Sequence, residues 1–142
     1  MNVQPGINLR TYGILRSADG QQVLLIDEFI MGKRLLKFPG GGVEHAEAPG
    51  LALIREFKEE LNVEIVLGEL FYVSPHFHRS FFRPQQLLAL YWDVRLLKGQ
   101  PQSQIPHLNL LWRPLNSIKP EEMTHPVDQE VVSLLLARCG GT

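Results

Sequence analysis

The chain has a single cysteine, Cys139, in 142 residues. One thiol closes no internal disulfide, and no basic start followed by a long apolar run stands near Met1, so secretion is not indicated and a reducing, cytoplasmic setting is expected. Long hydrophobic runs are missing as well. The longest, such as Leu87 to Trp92, falls far short of the roughly 20 residues that cross a bilayer, so no membrane partner is expected. An excess of one charge is also lacking: 14 Lys and Arg stand against 15 Asp and Glu, which gives no overall pull toward a nucleic-acid polymer. No period of about 20 to 50 residues repeats, and the prolines are scattered instead of gathering into a linker. What remains is an ordinary globular composition with enough chain for one core and too little for two. A single domain over residues 1–142 is expected.

The first third of the chain predicts strands at Leu9 to Leu15, Gln22 to Ile30 and Leu35 to Phe38, the first two separated by the turn-like Ala18-Asp19-Gly20. Pro39-Gly40-Gly41-Gly42 ends that run. From Pro49 to Leu61 the apolar period becomes helical, with proline at a first-turn position where its missing N–H costs nothing. Strand-like runs return at Ile65 to Val73, Gln86 to Leu97 and Leu108 to Leu115, and Pro126 to Arg138 reads as a closing amphipathic helix. The order predicts a mixed α/β fold.

The helix at 49–61 separates two kinds of residue. At about 100° per residue from Arg55, Glu59 falls near 40°, Glu56 near 100° and Glu60 near 140°, while Leu53, Phe57 and Leu61 lie on the other side. One face is core and the other is a carboxylate cluster. Three glutamates so close cost the helix several tenths of a kcal/mol unless a cation sits among them, and Arg55 offsets only part of their charge. A solvated acidic face is one reading. A hard divalent cation such as Mg²⁺, which takes oxygen ligands, is the other.

The segment before the helix bears on that choice, because Gly40-Gly41-Gly42 allows positive φ and close approach of main-chain groups to the helix start. Taken together, the run is Gly41, five residues, Glu47, seven residues, then Arg55-Glu56-Phe57-Lys58-Glu59-Glu60-Leu61-Asn62-Val63. It resembles the Nudix box, the signature of the Nudix hydrolases. Asn62 stands where that family has glycine; the position follows a helix end that wants a left-handed residue, and asparagine is the usual substitute.

The resemblance implies an α/β/α sandwich around a mixed sheet, with the box as a loop-helix-loop. It also implies hydrolysis of a nucleoside diphosphate linked to another group, by water attacking phosphorus with Mg²⁺ or Mn²⁺ present. By position in the box, Glu56, Glu59 and Glu60 are the implied metal ligands, with a carbonyl of Gly40 or Gly41 as a further one. Glu56 or Glu59 orients the attacking water, and Arg55 holds a glutamate in place, with Glu47 as its candidate partner. A Nudix-fold binding or regulatory domain that senses a nucleotide or sugar-nucleotide without hydrolysing it is the alternative; such modules usually lose box carboxylates, and this chain keeps all three. The implied partner is a small phosphorylated nucleotide, and many relatives form homodimers.

Many relatives add an acid from a later loop, yet no Asp or Glu occurs between Asp93 and Glu121. Glu121, Glu122 and Glu130 are the remaining candidates, and catalysis by the box alone is equally open. Residues 70–120 carry six basic side chains against the one acid Asp93, which suits phosphates. Phe77, Phe81, Phe82, Tyr91 and Trp112 are candidates to stack a base. His76 and His78, two residues apart in a strand-like stretch, share a face, but the local sequence offers no third ligand for zinc. Cys139 is expected to be inert.

Overall fold

Alternation along one central strand sets the layers. In β2 (Gln22–Ile30) Val23 and Leu25 enter one apolar cluster, while Leu24 and Ile26 enter another on the opposite face. A strand buried on both faces needs cover on both sides. Helix α1 (Pro49–Leu61) supplies one cover through Leu53, Phe57 and Leu61, and helix α2 (Pro126–Gly140) supplies the other through Val127, Val131, Val132 and Leu135. The result is the α/β/α sandwich around a mixed sheet that the Nudix resemblance implies. The computed structural model describes residues 2–140.

The strands fall into two sheets. One runs β4 (Gly40–Gly42), β1 (Gln4–Leu15), β6 (Gln85–Lys98), β5 (Glu64–Val73), with β1 and β6 parallel and the other pairs antiparallel. The other runs β3 (Lys33–Lys37), β2, β7 (Leu108–Pro114), antiparallel throughout. Among the described residues no helix is long and apolar enough to cross a membrane.

Two local features fix α1. Asn62 ends the helix in the left-handed conformation (φ 54°, ψ 41°), its N–H donating to the Lys58 carbonyl at 3.1 Å, so asparagine does at this position what glycine does in the family pattern. At the other side, β1 has Gly13 where Phe57 packs: a Cβ there would lie 2.7 Å from the ring. One expectation needs correction. The glycine run is not only a break, because Gly40–Gly42 pairs with β1 as the edge strand of its sheet, Gly41 facing Thr11.

Candidate active site

Three consecutive glycines make β4 a strand without side chains, and each takes a different neighbour. A Cβ on Gly40 would collide with the Thr11 carbonyl and the Tyr12 ring, and one on Gly41 would stand 2.5 Å from the Glu56 carboxyl carbon. The strand thus has one face against β1 and another against a helix carboxylate, and only glycine permits both approaches. The register also sorts its main-chain groups. Gly41 pairs directly with Thr11, which turns the Gly40 and Gly42 carbonyls to the free edge. The Gly42 carbonyl accepts from Arg55 Nη2 there at 3.1 Å.

Arg55 organises the acidic face of α1. Its Nε donates to Glu47 Oε2 at 2.8 Å and its Nη2 to Glu47 Oε1 at 3.0 Å, a two-bonded fork across the loop. Nη1 reaches Glu56 Oε1 and Glu59 Oε1, both at 3.2 Å. Hydrogen bonds from Arg55 bring the Glu47 carboxyl down to about 2, with the Glu44 backbone N–H helping. The structure therefore joins Gly41, Glu47, Arg55, Glu56 and Glu59 in one connected group.

Glu60 faces a different environment. Burial raises its carboxyl to about 8, and a hydrogen bond with Glu56 adds to the shift, while Lys37 opposes it. Two carboxyl groups one turn apart on the helix set like charges side by side, which a cation between them would offset. Close by, buried Lys37 Nζ lies 2.6 Å from Glu28 Oε1. Neither residue stands out in the sequence, since both sit within strands; a buried acid in β2 register with an apolar run is the only trace. Of the later acids considered from sequence, Glu122 pairs with Arg113 at 3.1 Å, Glu130 bonds to histidines, and Glu121 is exposed.

A pocket of ≈ 220 Å³ opens on the α2 side of β1, lined by Arg10, Tyr12, Phe81, Phe82 and His125 among others. Arg10 ties it to the glycine strand, opposite Gly42 in the register and donating through Nε to the Tyr12 hydroxyl at 2.6 Å. Its guanidinium lies 3.9 Å from the Phe82 ring centre, a cation–π arrangement that holds the ring flat against the charge. Burial, with Lys37 and Arg10 nearby, lowers the His125 imidazole to about 4. Beneath the pocket floor, fully buried Asp128 accepts from the Tyr91 hydroxyl at 2.5 Å, and burial lifts its carboxyl to about 7. Of the aromatic candidates, Phe81, Phe82 and Tyr91 line this pocket; Phe77 is exposed and Trp112 packs on the α1 side. The basic residues of 70–120 do not gather: Arg79 alone among them lines the pocket, with Arg10 arriving from outside that segment.

Comparison with known proteins agrees with this arrangement. The NUDIX domain profile matches residues 8–135. The CTP pyrophosphohydrolase of Escherichia coli (strain K12) is 36% identical over 104 residues, covering 72% of this chain and 70% of that protein. In structure, a NUDIX hydrolase from Nitrosomonas europaea superposes with a TM-score of 0.74 at 17% identity, over 90% of this chain and 87% of the other. The MutT protein from Methanosarcina mazei Go1 does so with a TM-score of 0.71 at 17% identity, over 92% and 96% of the two chains. The chain belongs to the Nudix family, as a hydrolase of the pyrophosphohydrolase kind.

Proposed function

We propose that the protein hydrolyses a nucleoside triphosphate to the monophosphate and pyrophosphate, with a divalent cation, Mg²⁺ or Mn²⁺, held by Glu56, Glu59, Glu60 and the Gly40 carbonyl. The observation that carries this reading is the side-chain-free edge strand Gly40–Gly42, flanked by paired carboxylates and by an aromatic pocket. The donor set fits a hard cation: Glu56 and Glu60, one turn apart, set like charges side by side that a cation would offset, and Gly41 leaves the Glu56 carboxylate the room that a Cβ would fill. Bound there, such an ion neutralises charge on the bridging phosphates and lowers the pKa of a coordinated water.

The chain's own residues do the rest. Glu56 or Glu59 orients the attacking water, and Arg55, anchored on Glu47 and Gly42, keeps both carboxylates in place. Arg10 and Arg79, which line the pocket, offset phosphate charge. The pocket is smaller than the roughly 300–1,000 Å³ of sites that swallow a whole ligand, so it suits a single base stacked on Phe82, with the phosphates lying across the free edge of β4. Likeness to the CTP pyrophosphohydrolase favours a pyrimidine triphosphate. The experiment is a Mg²⁺-dependent panel of nucleoside triphosphates, ADP-ribose, sugar nucleotides and dinucleoside polyphosphates, scored by product. Release of pyrophosphate from a triphosphate supports the reading. Cleavage of sugar nucleotides alone overturns the substrate, and tight nucleotide binding without turnover favours a regulatory domain.

A further inference from the structure

His76 and His78 lack a third ligand in the local sequence, and the fold supplies one. Glu130, on α2 and 52 residues from His78, places Oε2 2.9 Å from His78 Nε2 and 3.2 Å from His76 Nδ1. The three ligand atoms all lie within 4.8 Å of one another. Bonds of about 2.0–2.1 Å to a tetrahedral zinc ion put its ligand atoms about 3.3 Å apart, so two of the three spacings are within a few tenths of an ångström already.

The surroundings are organised toward the same point. The Tyr72 hydroxyl donates to Glu130 Oε1 at 2.6 Å, which orients the other oxygen toward the imidazoles, as outer partners of metal-binding carboxylates do. Ser74 Oγ accepts the His76 backbone N–H at 3.1 Å and lies 3.0 Å from His78 Nε2. The His78 carbonyl accepts from the Leu87 N–H at 2.8 Å, fixing that residue's backbone to β6. His78 and Glu130 are largely covered, whereas the His76 side chain is 66% exposed, which leaves an approach from solvent.

We propose that His76, His78 and Glu130 form a transition-metal site of the zinc-binding class, separate from the α1 carboxylates, that ties the wall of the aromatic pocket to α2. Two borderline imidazoles joined by one carboxylate suit Zn²⁺ and its first-row neighbours, not Mg²⁺, which demands oxygen. Three protein ligands leave a fourth position for water. His78 itself lines the pocket and precedes Arg79, Ser80, Phe81 and Phe82 in its wall, so an ion bound here holds that wall to the helix that carries Val127 and Asp128.

The test uses chelator-stripped full-length protein titrated with Zn²⁺ against a chromophoric competitor, and with Co²⁺ followed by its visible absorption. One equivalent of zinc is expected, with Co²⁺ bands of a tetrahedral nitrogen–oxygen site. His76→Ala, at an exposed position that the fold does not need, should weaken zinc at least tenfold and abolish those bands. Glu130→Gln should do the same, while the double variant Glu56→Gln, Glu60→Gln binds zinc within twofold of the wild type. Zinc binding that survives His76→Ala and Glu130→Gln, or no stoichiometric binding by the wild-type protein, overturns the proposal. The readout is metal binding itself, so it stands apart from whether the nucleotide panel shows turnover.

Discussion

The Glu56 carboxylate lies directly against Gly41: a Cβ at that glycine would stand 2.5 Å from Glu56 Cδ and 2.6 and 2.7 Å from its two oxygens. Gly41→Ala must therefore push the carboxylate aside. The φ of Gly41 is not positive, so alanine meets no backbone strain and the fold should persist. A displacement of about 1 Å at a catalytic group costs on the order of 10²-fold in rate, and kcat is expected to fall by about that factor with the thermal midpoint little changed. Activity within a few-fold of wild type would remove Glu56 from the proposed mechanism.

Arg55 supplies five donors, and the structure uses them on Glu47, Gly42, Glu56 and Glu59. Lysine keeps the charge but cannot make the two-bonded fork to Glu47. Arg55→Lys is expected to lower kcat by roughly 10- to 100-fold, as loss of an outer partner does at metal sites, and to leave KM nearly unchanged, because Arg55 orients carboxylates and does not reach the pocket. A rise in KM with kcat intact would mean that the guanidinium binds substrate instead.

Much of this arrangement is legible in the residue order. The spacing of Leu53, Phe57 and Leu61 against Glu56, Glu59 and Glu60 locates α1 and its two faces, and Asn62 marks its end, because helix periodicity and capping are local. The edge strand at Gly40–Gly42 was hidden, since glycines carry no strand propensity and only the partner β1 reveals their role. Lys37, Glu28, Arg10 and His125 were hidden for a different reason. Each comes from a separate element, and only the folded sheet brings them near Glu60 or Phe82. The same holds for Glu130, whose partners His76 and His78 lie over 50 residues away.

Gly13 offers a test of how α1 is seated. Its Cβ would lie 2.7 and 2.8 Å from two atoms of the Phe57 ring and 3.2 Å from Val94 Cγ2, all in the buried layer where neighbours have little room to move. Gly13→Ala should cost about 1–3 kcal/mol by overpacking, read as a lower denaturant midpoint at constant slope. Phe57 follows Glu56 directly, so turnover should also drop. An unchanged midpoint would show that the ring relaxes freely and that the glycine is not what sets the helix position.

Asp128 and His125 make opposite contributions to stability as pH changes. Asp128 has its folded pKa raised from 3.8 to about 7, chiefly by burial. Between those values the unfolded chain ionises first, so this contribution is complete below about 4 and is lost as pH rises to about 7. His125 has its folded pKa lowered from 6.5 to about 4, again chiefly by burial. Its contribution is complete above 6.5 and is lost as pH falls to about 4. Each amounts to a few kcal/mol at about 1.4 kcal/mol per pKa unit, and across the shared window they largely offset. Asp128→Asn keeps an acceptor for the Tyr91 hydroxyl and removes the acid, so its stability relative to the wild type should climb from pH 4 to 6.5. His125→Gln removes the base, so its stability relative to the wild type should decline over the same range. Denaturant titrations of both variants and the wild type at several pH values read these slopes, and parallel curves for all three would show that neither burial perturbs its group.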